Sequence, residues 1–283
     1  MRFLIGFGLF ALAFAGWHFD GGLVAAAFAG QPHDGGLGLQ ASASPVMDDI
    51  IWFHDFLLWI ITIIVVFVTA LLAIVILRFN RKSNPNPSRT THNTLLEVAW
   101  TVIPVMILVV IAIPSFRLLY KQVVIPEAEL TVKAVGYQWY WGYEYPDHGD
   151  ISIISNMIPD DQLQPGQPRL LAADYDLVVP VDTTVRVIVT AADVIHAFAV
   201  PSFGVKIDAI PGRLNETWFR AERTGMFYGQ CSELCGTRHA FMPISVKVVT
   251  REEFDEWVAQ EQQAALGGTG RLKLAEAPAV EAR

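Results

Sequence analysis

Residues 231–242 have the sequence C-S-E-L-C-G-T-R-H-A-F-M, so two cysteines, a histidine and a methionine follow the pattern C-x3-C-x3-H-x2-M. Thiolate and thioether are soft ligands and imidazole is intermediate, a combination that suits copper better than magnesium, calcium or manganese. Zinc sites rely on thiolate and imidazole and have little use for methionine. The stretch therefore predicts a copper site, and the surrounding chain must fold so as to present this loop.

The two cysteines, Cys231 and Cys235, allow more than one interpretation. In an exported protein a disulfide is the default expectation, although so short a ring would gain little from loop closure. A mononuclear blue-copper site needs one cysteine, with a histidine and a weakly bound methionine close behind it. The second thiolate is enough to bridge two metal ions, and one more nitrogen ligand is then required from elsewhere.

His196 is the best candidate for that nitrogen ligand. It follows a β-branched run, Thr184–Thr190, and has apolar neighbours, where a histidine is more often a core residue than a ligand. The chain has seven histidines. Five of them lie in or next to the N-terminal apolar segment, beside the long apolar runs, or in a turn. His196 and His239 remain, which strengthens the case for this pair.

Two uncharged runs indicate membrane helices. As helices, Phe56–Leu77 and Val98–Phe116 would span about 33 and about 28 Å, enough to cross a bilayer. Pro104 and Pro114 lie in the second run, where a packed membrane helix tolerates them. The connector Arg78–Thr94 contains basic residues and no acid, which places it in the cytoplasm.

The N-terminus is typical of an export signal. Arg2 precedes an apolar run, Phe3–Gly16, and Ala27-Phe28-Ala29 fits the A-x-A cleavage pattern, so we expect cleavage near Ala29. The alternative, that Phe3–Ala15 is a further anchor, is disfavoured because the run is short. The expected organisation is a signal peptide (1–29), an exported segment (30–49), a helical hairpin (50–120, helices about 50–78 and 95–118), a β domain (121–250), and a C-terminal helix and tail (251–283).

Short β-branched runs follow the second apolar run. Glu129–Val135, Thr184–Thr190 and Ile244–Val249 alternate partly with period two, and turn-rich stretches separate them. No clear amphipathic helix interrupts them before a polar helix predicted at Arg251–Leu266. We therefore expect an antiparallel sandwich or barrel.

Aromatic residues are concentrated around positions 137–145. Period-two alternation predicts that Trp139, Trp141, Tyr143 and Tyr145 share one face of a strand. A barrel core or a membrane-interface belt explains most of them.

Composition narrows the class of protein. The chain is 53% hydrophobic and 17% charged, which suits a membrane part joined to a globular part. The net charge of −8 argues against nucleic acid as a partner, because phosphates require a basic surface. The acidic excess lies after residue 120, where it could steer a basic protein partner.

The copper loop, together with Q-W-Y-W at 138–141 and S-F-G-V-K-I-D-A-I-P-G-R at 202–213, resembles subunit II of cytochrome c oxidase, of bacterial or mitochondrial type. The resemblance covers about residues 45–249. It implies a two-helix transmembrane hairpin followed by an all-β, cupredoxin-like Greek-key barrel. It also implies a binuclear copper centre that accepts electrons from cytochrome c. These electrons would pass to haem, held only by subunit I, where oxygen is reduced to water and protons are pumped.

The same resemblance assigns roles to individual residues. The two copper ions would be held by His196, Cys231, Glu233 (through its backbone carbonyl), Cys235, His239 and Met242. The Glu233 side chain would also reach a magnesium ion shared with subunit I. Trp139 would receive the electron from cytochrome c, and Glu97 would lie at the mouth of a proton pathway. The acids that dock cytochrome c would be Glu144, Asp174 and Asp193.

The resemblance also implies a location and partners. We expect an integral protein of a bacterial inner membrane with two spans, in which the copper domain and both termini are periplasmic. Its partners would be subunit I, further oxidase subunits and cytochrome c.

Three other classes of protein share parts of this pattern. A membrane-anchored copper chaperone has C-x3-C and a distant histidine, but it has a single anchor and a thioredoxin-like fold. Nitrous oxide reductase carries the binuclear motif in a long soluble chain. The quinol-oxidase form of the subunit has lost the copper ligands, all of which are present here.

Overall fold

The computed structural model describes residues 30–149 and 151–266. They form two compact units, one of residues 49–124 and the other of residues 30–48 together with the described residues from 125 onward. The predicted signal peptide (1–29) and the tail (267–283) lie outside the described residues.

Two long apolar helices make up most of the first unit. Helix α1 is Pro45–Arg78 and helix α2 is Thr94–Val123. Both are long and apolar enough to cross a membrane, which agrees with the two predicted spans. At the end of α2, Lys121 Nζ lies 2.5 Å from Asp49 Oδ2 near the start of α1, so the helices form the expected hairpin.

Helix α1 begins earlier than the predicted boundary near residue 50. Ser44 Oγ accepts a hydrogen bond from Met47 N at 3.1 Å, the arrangement of an N-cap, and Pro45 occupies the first helical position, where its missing N–H costs nothing. At the start of α2, Asn93 Oδ1 accepts from Leu96 N at 3.2 Å. Local capping therefore sets where each helix begins.

The second unit contains ten strands and a terminal helix. The strands are β1 (Leu130–Tyr137), β2 (Tyr140–Tyr145), β3 (Ile151–Ser155), β4 (Leu177–Pro180), β5 (Thr184–Ala191), β6 (His196–Val200), β7 (Val205–Ala209), β8 (Asn215–Arg220), β9 (Gly225–Gln230) and β10 (Pro243–Val249). Helix α3 is Arg251–Leu266, as predicted. The strands form sheets ordered β3-β2-β1-β5-β8, β4-β10-β9 and β6-β7.

The expectation of a purely antiparallel domain is wrong. Strand β1 pairs with β5 in parallel, with Leu130 opposite Val185, and β10 pairs with β4 in parallel, with Val246 opposite Leu177. Both pairs join strands far apart in the chain, which leaves room for the crossover that a parallel pair needs. Alternation in the sequence specifies the buried face of each strand but not the direction of its partner.

The four aromatic residues predicted to share a strand face divide into two groups. Trp141, Tyr143 and Tyr145 are fully buried in the core, as period two predicts. Trp139 is different, because it lies in the turn between β1 and β2 and is only partly buried. The prediction that all four share a strand face is therefore wrong for Trp139, because the strand ends at Tyr137 and the chain reverses.

The segment before α1 lies along the β domain. Tyr228 N of β9 donates to the carbonyl of Gly30 at 2.7 Å, and Ala43 N donates to the carbonyl of Ser202 at 2.9 Å. Gly30 has φ +94°, and a Cβ there would lie 2.3 Å from the carbonyl oxygen of Met226. Glycine is therefore the residue that fits against β9 at this point.

Candidate metal centre

The predicted copper loop connects the last two strands of the β domain. Cys231 directly follows β9 and Met242 directly precedes β10, and Gln230 pairs with Pro243 across the two strands. Cys231 N also donates to the carbonyl of Met242 at 3.2 Å. The antiparallel pairing thus closes the neck of the loop and brings residues from both of its ends together.

The two cysteine sulfurs lie side by side without a bond. Their Sγ atoms are 3.8 Å apart and both thiols are free, whereas a disulfide needs about 2.05 Å. The expectation of a disulfide is therefore wrong. The sulfurs are nearly inaccessible to solvent, since Cys231 is 5% exposed and Cys235 is 3% exposed.

The other predicted ligands surround these two sulfurs. His196 Nδ1 is 3.8 Å from Cys231 Sγ, and His239 Nδ1 is 3.5 Å from Cys235 Sγ. Met242 Sδ is 3.5 Å from Cys235 Sγ, and the backbone carbonyl of Glu233 is 3.3 Å from Cys231 Sγ. All six predicted groups therefore meet in one place, with one histidine beside each sulfur.

These distances fit a metal site. Two sulfurs that bind the same metal ion at about 2.3 Å with a roughly tetrahedral angle lie about 3.8 Å apart. The Sγ atoms of Cys231 and Cys235 have this separation. The ligand atoms of His196, Cys231 and Cys235 all lie within 4.8 Å of one another. Three soft sulfur donors and two imidazoles dominate this set, which suits copper; the sixth group is a carbonyl.

The position of His196 depends on three neighbours. Trp141 meets its ring edge-on, with ring centroids 6.1 Å apart. On another side lies Gly136 of β1, where a Cβ would approach the imidazole to 2.8 Å. Asp193 Oδ1 lies 2.9 Å from His196 Nε2. His196 is fully buried, so these contacts rather than solvent determine its orientation.

The two thiols differ in acidity. Burial alone would raise the pKa of Cys231, but hydrogen bonding to His196 and to the backbone outweighs burial and lowers it. Burial, and next the adjacent charge of Cys231, raise the pKa of Cys235. One thiolate and one thiol are therefore favoured before metal binds. Because metals bind thiolates, loading must release the proton of Cys235.

The turn that carries Trp139 is bonded directly to the copper loop. Trp139 Nε1 donates to the carbonyl of Cys235 at 3.2 Å, and Gln138 Nε2 donates to the same oxygen at 2.9 Å. Gly236, the next residue of the loop, has φ +119°, and a Cβ there would lie 3.0 Å from the Trp139 ring. The indole is thus one hydrogen bond from the backbone of a predicted copper ligand.

The three acids predicted to dock a partner all have contacts within the domain. Glu144 pairs with Lys133 at 3.1 Å. Asp174 accepts from Asn156 N at 2.7 Å, which closes a loop between β3 and β4. Asp193 contacts His196, as described above.

The two remaining predicted residues, Glu233 and Glu97, lie in different units. Glu233 is exposed on the copper loop. Glu97 lies in the first turn of α2, where its carboxylate accepts from Asn93 N at 3.3 Å. This contact is typical of a capping interaction at a helix start.

Sequence reasoning missed the glycines that the site depends on. Gly136 leaves space for the His196 ring. In β9, a Cβ on Gly229 would lie 1.8 Å from the carbonyl oxygen of Ala199 in β6. Isolated glycines within the strand runs were the available signal, because a glycine inside a strand often marks a close approach of backbone.

Comparisons with known proteins agree with this architecture. The family profile "Cytochrome C oxidase subunit II, periplasmic domain" matches residues 130–249, and "Cytochrome C oxidase subunit II, transmembrane domain" matches residues 32–118. A probable cytochrome c oxidase subunit 2 of Rickettsia bellii is 57% identical over 231 residues, covering 82% of this chain and 86% of the relative. Cytochrome c oxidase subunit 2 of Cereibacter sphaeroides is 52% identical over 253 residues, which cover 83% of this chain and 82% of the relative.

A solved structure is also similar. It is the periplasmic domain of subunit II of the cytochrome oxidase of Bradyrhizobium japonicum, which is 61% identical to this chain in sequence. The match covers 50% of this chain and 98% of the solved chain, with a TM-score of 0.47.

Proposed function

The chain belongs to the cytochrome c oxidase subunit II family, and from this premise we propose that it is the subunit that relays electrons from cytochrome c to haem in subunit I. The observation that carries the proposal is the pair of free, buried cysteine sulfurs 3.8 Å apart. The other four predicted ligand groups lie on both sides of that pair. Six protein ligands would leave no open position for a substrate, so the subunit would transfer electrons and leave the reduction of oxygen, and the coupled pumping of protons, to its partner.

The residues that would hold two copper ions are His196, Cys231, Glu233 through its carbonyl, Cys235, His239 and Met242. When bound, two copper ions would supply a one-electron site whose charge is shared between them. The chain's own contribution is rigidity: the β9–β10 pairing fixes the two ends of the loop, and burial excludes water from the sulfurs. A site held in this way changes little between oxidation states.

Trp139 would receive the electron from cytochrome c. It is the partly buried aromatic residue whose indole N–H bonds to the carbonyl of Cys235, so a short through-bond connection leads from the ring to a copper ligand. The acidic excess of the β domain would steer a basic cytochrome c toward it. Glu144, Asp174 and Asp193 are the proposed docking acids.

The remaining assignments complete the proposal. The exposed side chain of Glu233 would bind magnesium at the boundary with subunit I, and Glu97 would lie at the start of a proton pathway. The β domain and both termini would face the periplasm of a bacterial inner membrane, after removal of residues 1–29. The basic connector between α1 and α2 supports this orientation.

Electron paramagnetic resonance of the full chain, purified in detergent and loaded with copper, tests the binuclear site. We expect a signal split equally by two copper nuclei. Cys235→Ser removes one of the two sulfurs and should give the pattern of a single copper or no bound copper. Thr237→Ala, an exposed residue of the same loop, is the matched control and should keep the parent signal. A single-copper pattern in the parent protein would contradict the proposal.

A further inference from the structure

The carboxylate of Asp193 is the centre of a small hydrogen-bond network. Its Oδ1 atom accepts from Val194 N at 2.6 Å and lies 2.9 Å from His196 Nε2. Its Oδ2 atom accepts from Gln138 N at 2.7 Å. One side chain thus binds its own loop, a predicted copper ligand and the turn that carries Trp139.

We propose that Asp193 is a positioning residue of the metal centre, which fixes both the His196 ring and the Gln138–Trp139 turn relative to the cysteine loop. This inference rests on the proposed function, because it concerns how the copper ligands are held. It is separate from the docking role proposed above for Asp193, which concerns the charge that this acid offers to cytochrome c.

The chemistry of the imidazole supports a positioning role. A carboxylate only accepts hydrogen bonds, so the contact with Asp193 requires the proton on His196 Nε2. The lone pair is then on Nδ1, the nitrogen that faces Cys231 at 3.8 Å. Asp193 thereby selects the tautomer that can bind a metal and holds the plane of the ring, a role that carboxylates often have beside metal-bound histidines.

The second oxygen extends this effect to the turn. Gln138 N is held by Asp193, while Gln138 Nε2 and Trp139 Nε1 both donate to the carbonyl of Cys235. The network therefore links a predicted ligand on β6 to a predicted ligand on the β9–β10 loop through the β1–β2 turn. Loss of Asp193 should loosen both connections at once.

The two other predicted docking acids provide a contrast within the domain. Glu144 pairs with Lys133, and Asp174 bonds to Asn156 N. Neither contact involves a predicted copper ligand or the Trp139 turn. Glu144→Gln and Asp174→Asn therefore change surface charge as much as Asp193→Asn does, but they leave the positioning network intact.

The test measures copper affinity of the full chain in detergent by competition with a chromophoric copper chelator. Asp193→Ala should weaken copper binding by about 10- to 100-fold, as is typical when a carboxylate behind a metal-bound histidine is lost. It should also alter the copper hyperfine splitting. Asp193→Asn keeps an acceptor oxygen for His196 but loses the second carboxylate oxygen, so it should fall between Asp193→Ala and the parent protein. Glu144→Gln and Asp174→Asn should keep the copper affinity and the hyperfine splitting of the parent protein, even where they weaken docking of cytochrome c.

The outcomes separate the possible failures. If Asp193→Ala binds copper within twofold of the parent, with the same hyperfine splitting, and only its association with cytochrome c changes, Asp193 is a docking acid and the inference is wrong. If the parent protein itself lacks a binuclear signal, the proposed function fails first. Thermal unfolding without copper shows whether Asp193→Ala folds. If it does not fold, Asp193→Asn replaces it in the test. Copper binding by Asp193→Asn within twofold of the parent would then contradict the inference.

Discussion

Gly229 is the residue at which a single methyl group should disrupt the metal centre without touching a ligand. A Cβ at this position would lie 1.8 Å from the carbonyl oxygen of Ala199, whereas ordinary contact begins at 3.4 Å. Strands β6 and β9 must therefore separate by about 1.6 Å in Gly229→Ala, because a packed core cannot absorb the overlap. His196 begins β6 and Cys231 follows β9, so the separation falls on the 3.8 Å contact between these two predicted ligands.

The expected size of the effect follows from overpacking. Inserting a methyl group into a well-packed site costs about 1–3 kcal/mol. In a domain of this size, each kcal/mol lowers the melting temperature by about 2–4 °C. We therefore expect Gly229→Ala to lower the copper-free melting temperature by about 2–12 °C. Copper should restore less of the lost stability than in the parent, because the ligands no longer meet at the same distances.

The assay is thermal unfolding of the full chain in detergent, with and without copper. Unfolding of the β domain is monitored by circular dichroism. Gly38→Ala is the matched control, because a Cβ at Gly38 has no atom within 4 Å, and it should melt like the parent. If Gly229→Ala also melts like the parent and gives the same copper signal, the close approach of β6 and β9 does not constrain the site, and the reasoning fails.

Three further substitutions test other parts of the molecule. Trp139→Phe removes the indole N–H and should slow electron transfer from cytochrome c in stopped-flow experiments far more than it weakens binding; a loss of binding alone would make Trp139 an ordinary contact. Gly136→Ala would place a methyl group 2.8 Å from the His196 ring and should change the copper hyperfine splitting, whereas an unchanged spectrum would argue against a fixed ring. Burial raises the pKa of Asp176 despite its bond from Ser245. The fold therefore favours the neutral form of Asp176, and stability is lost as pH rises through that pKa and the carboxyl ionises. Asp176→Asn should raise the melting temperature more at pH 7.5 than at pH 4. An equal change at both pH values would contradict this.

The sequence was sufficient for the features that depend on local pattern. The apolar runs predicted both membrane helices, because few other structures need so long an uncharged stretch. The spacing of Cys231, Cys235, His239 and Met242 predicted a set of ligands that the loop does bring together. Helix α3 was predicted at its observed bounds.

The features that were missed depend on contacts between distant parts of the chain. The parallel pairing of β1 with β5 cannot be read from alternation, which is the same for either strand direction. From the sequence, Asp193 looked like a surface acid, because one of its three partners, Gln138, lies in the distant turn between β1 and β2. The early start of α1 is a different case, since Ser44 and Pro45 are a recognisable helix start that the position of the apolar run obscured.

The location of the copper loop has a consequence for the order of events during biogenesis. The loop is closed by β10, the last strand in the described part of the chain, which pairs with both β9 and β4. His196 can be placed only when β6 is packed against β1 and β9. A chain that emerges from its N-terminus first therefore has no complete set of ligands until its final strand is in place. Acquisition of the proposed copper ions would then follow folding of the β domain. Truncation before residue 249 should give a membrane-inserted hairpin that cannot be metallated.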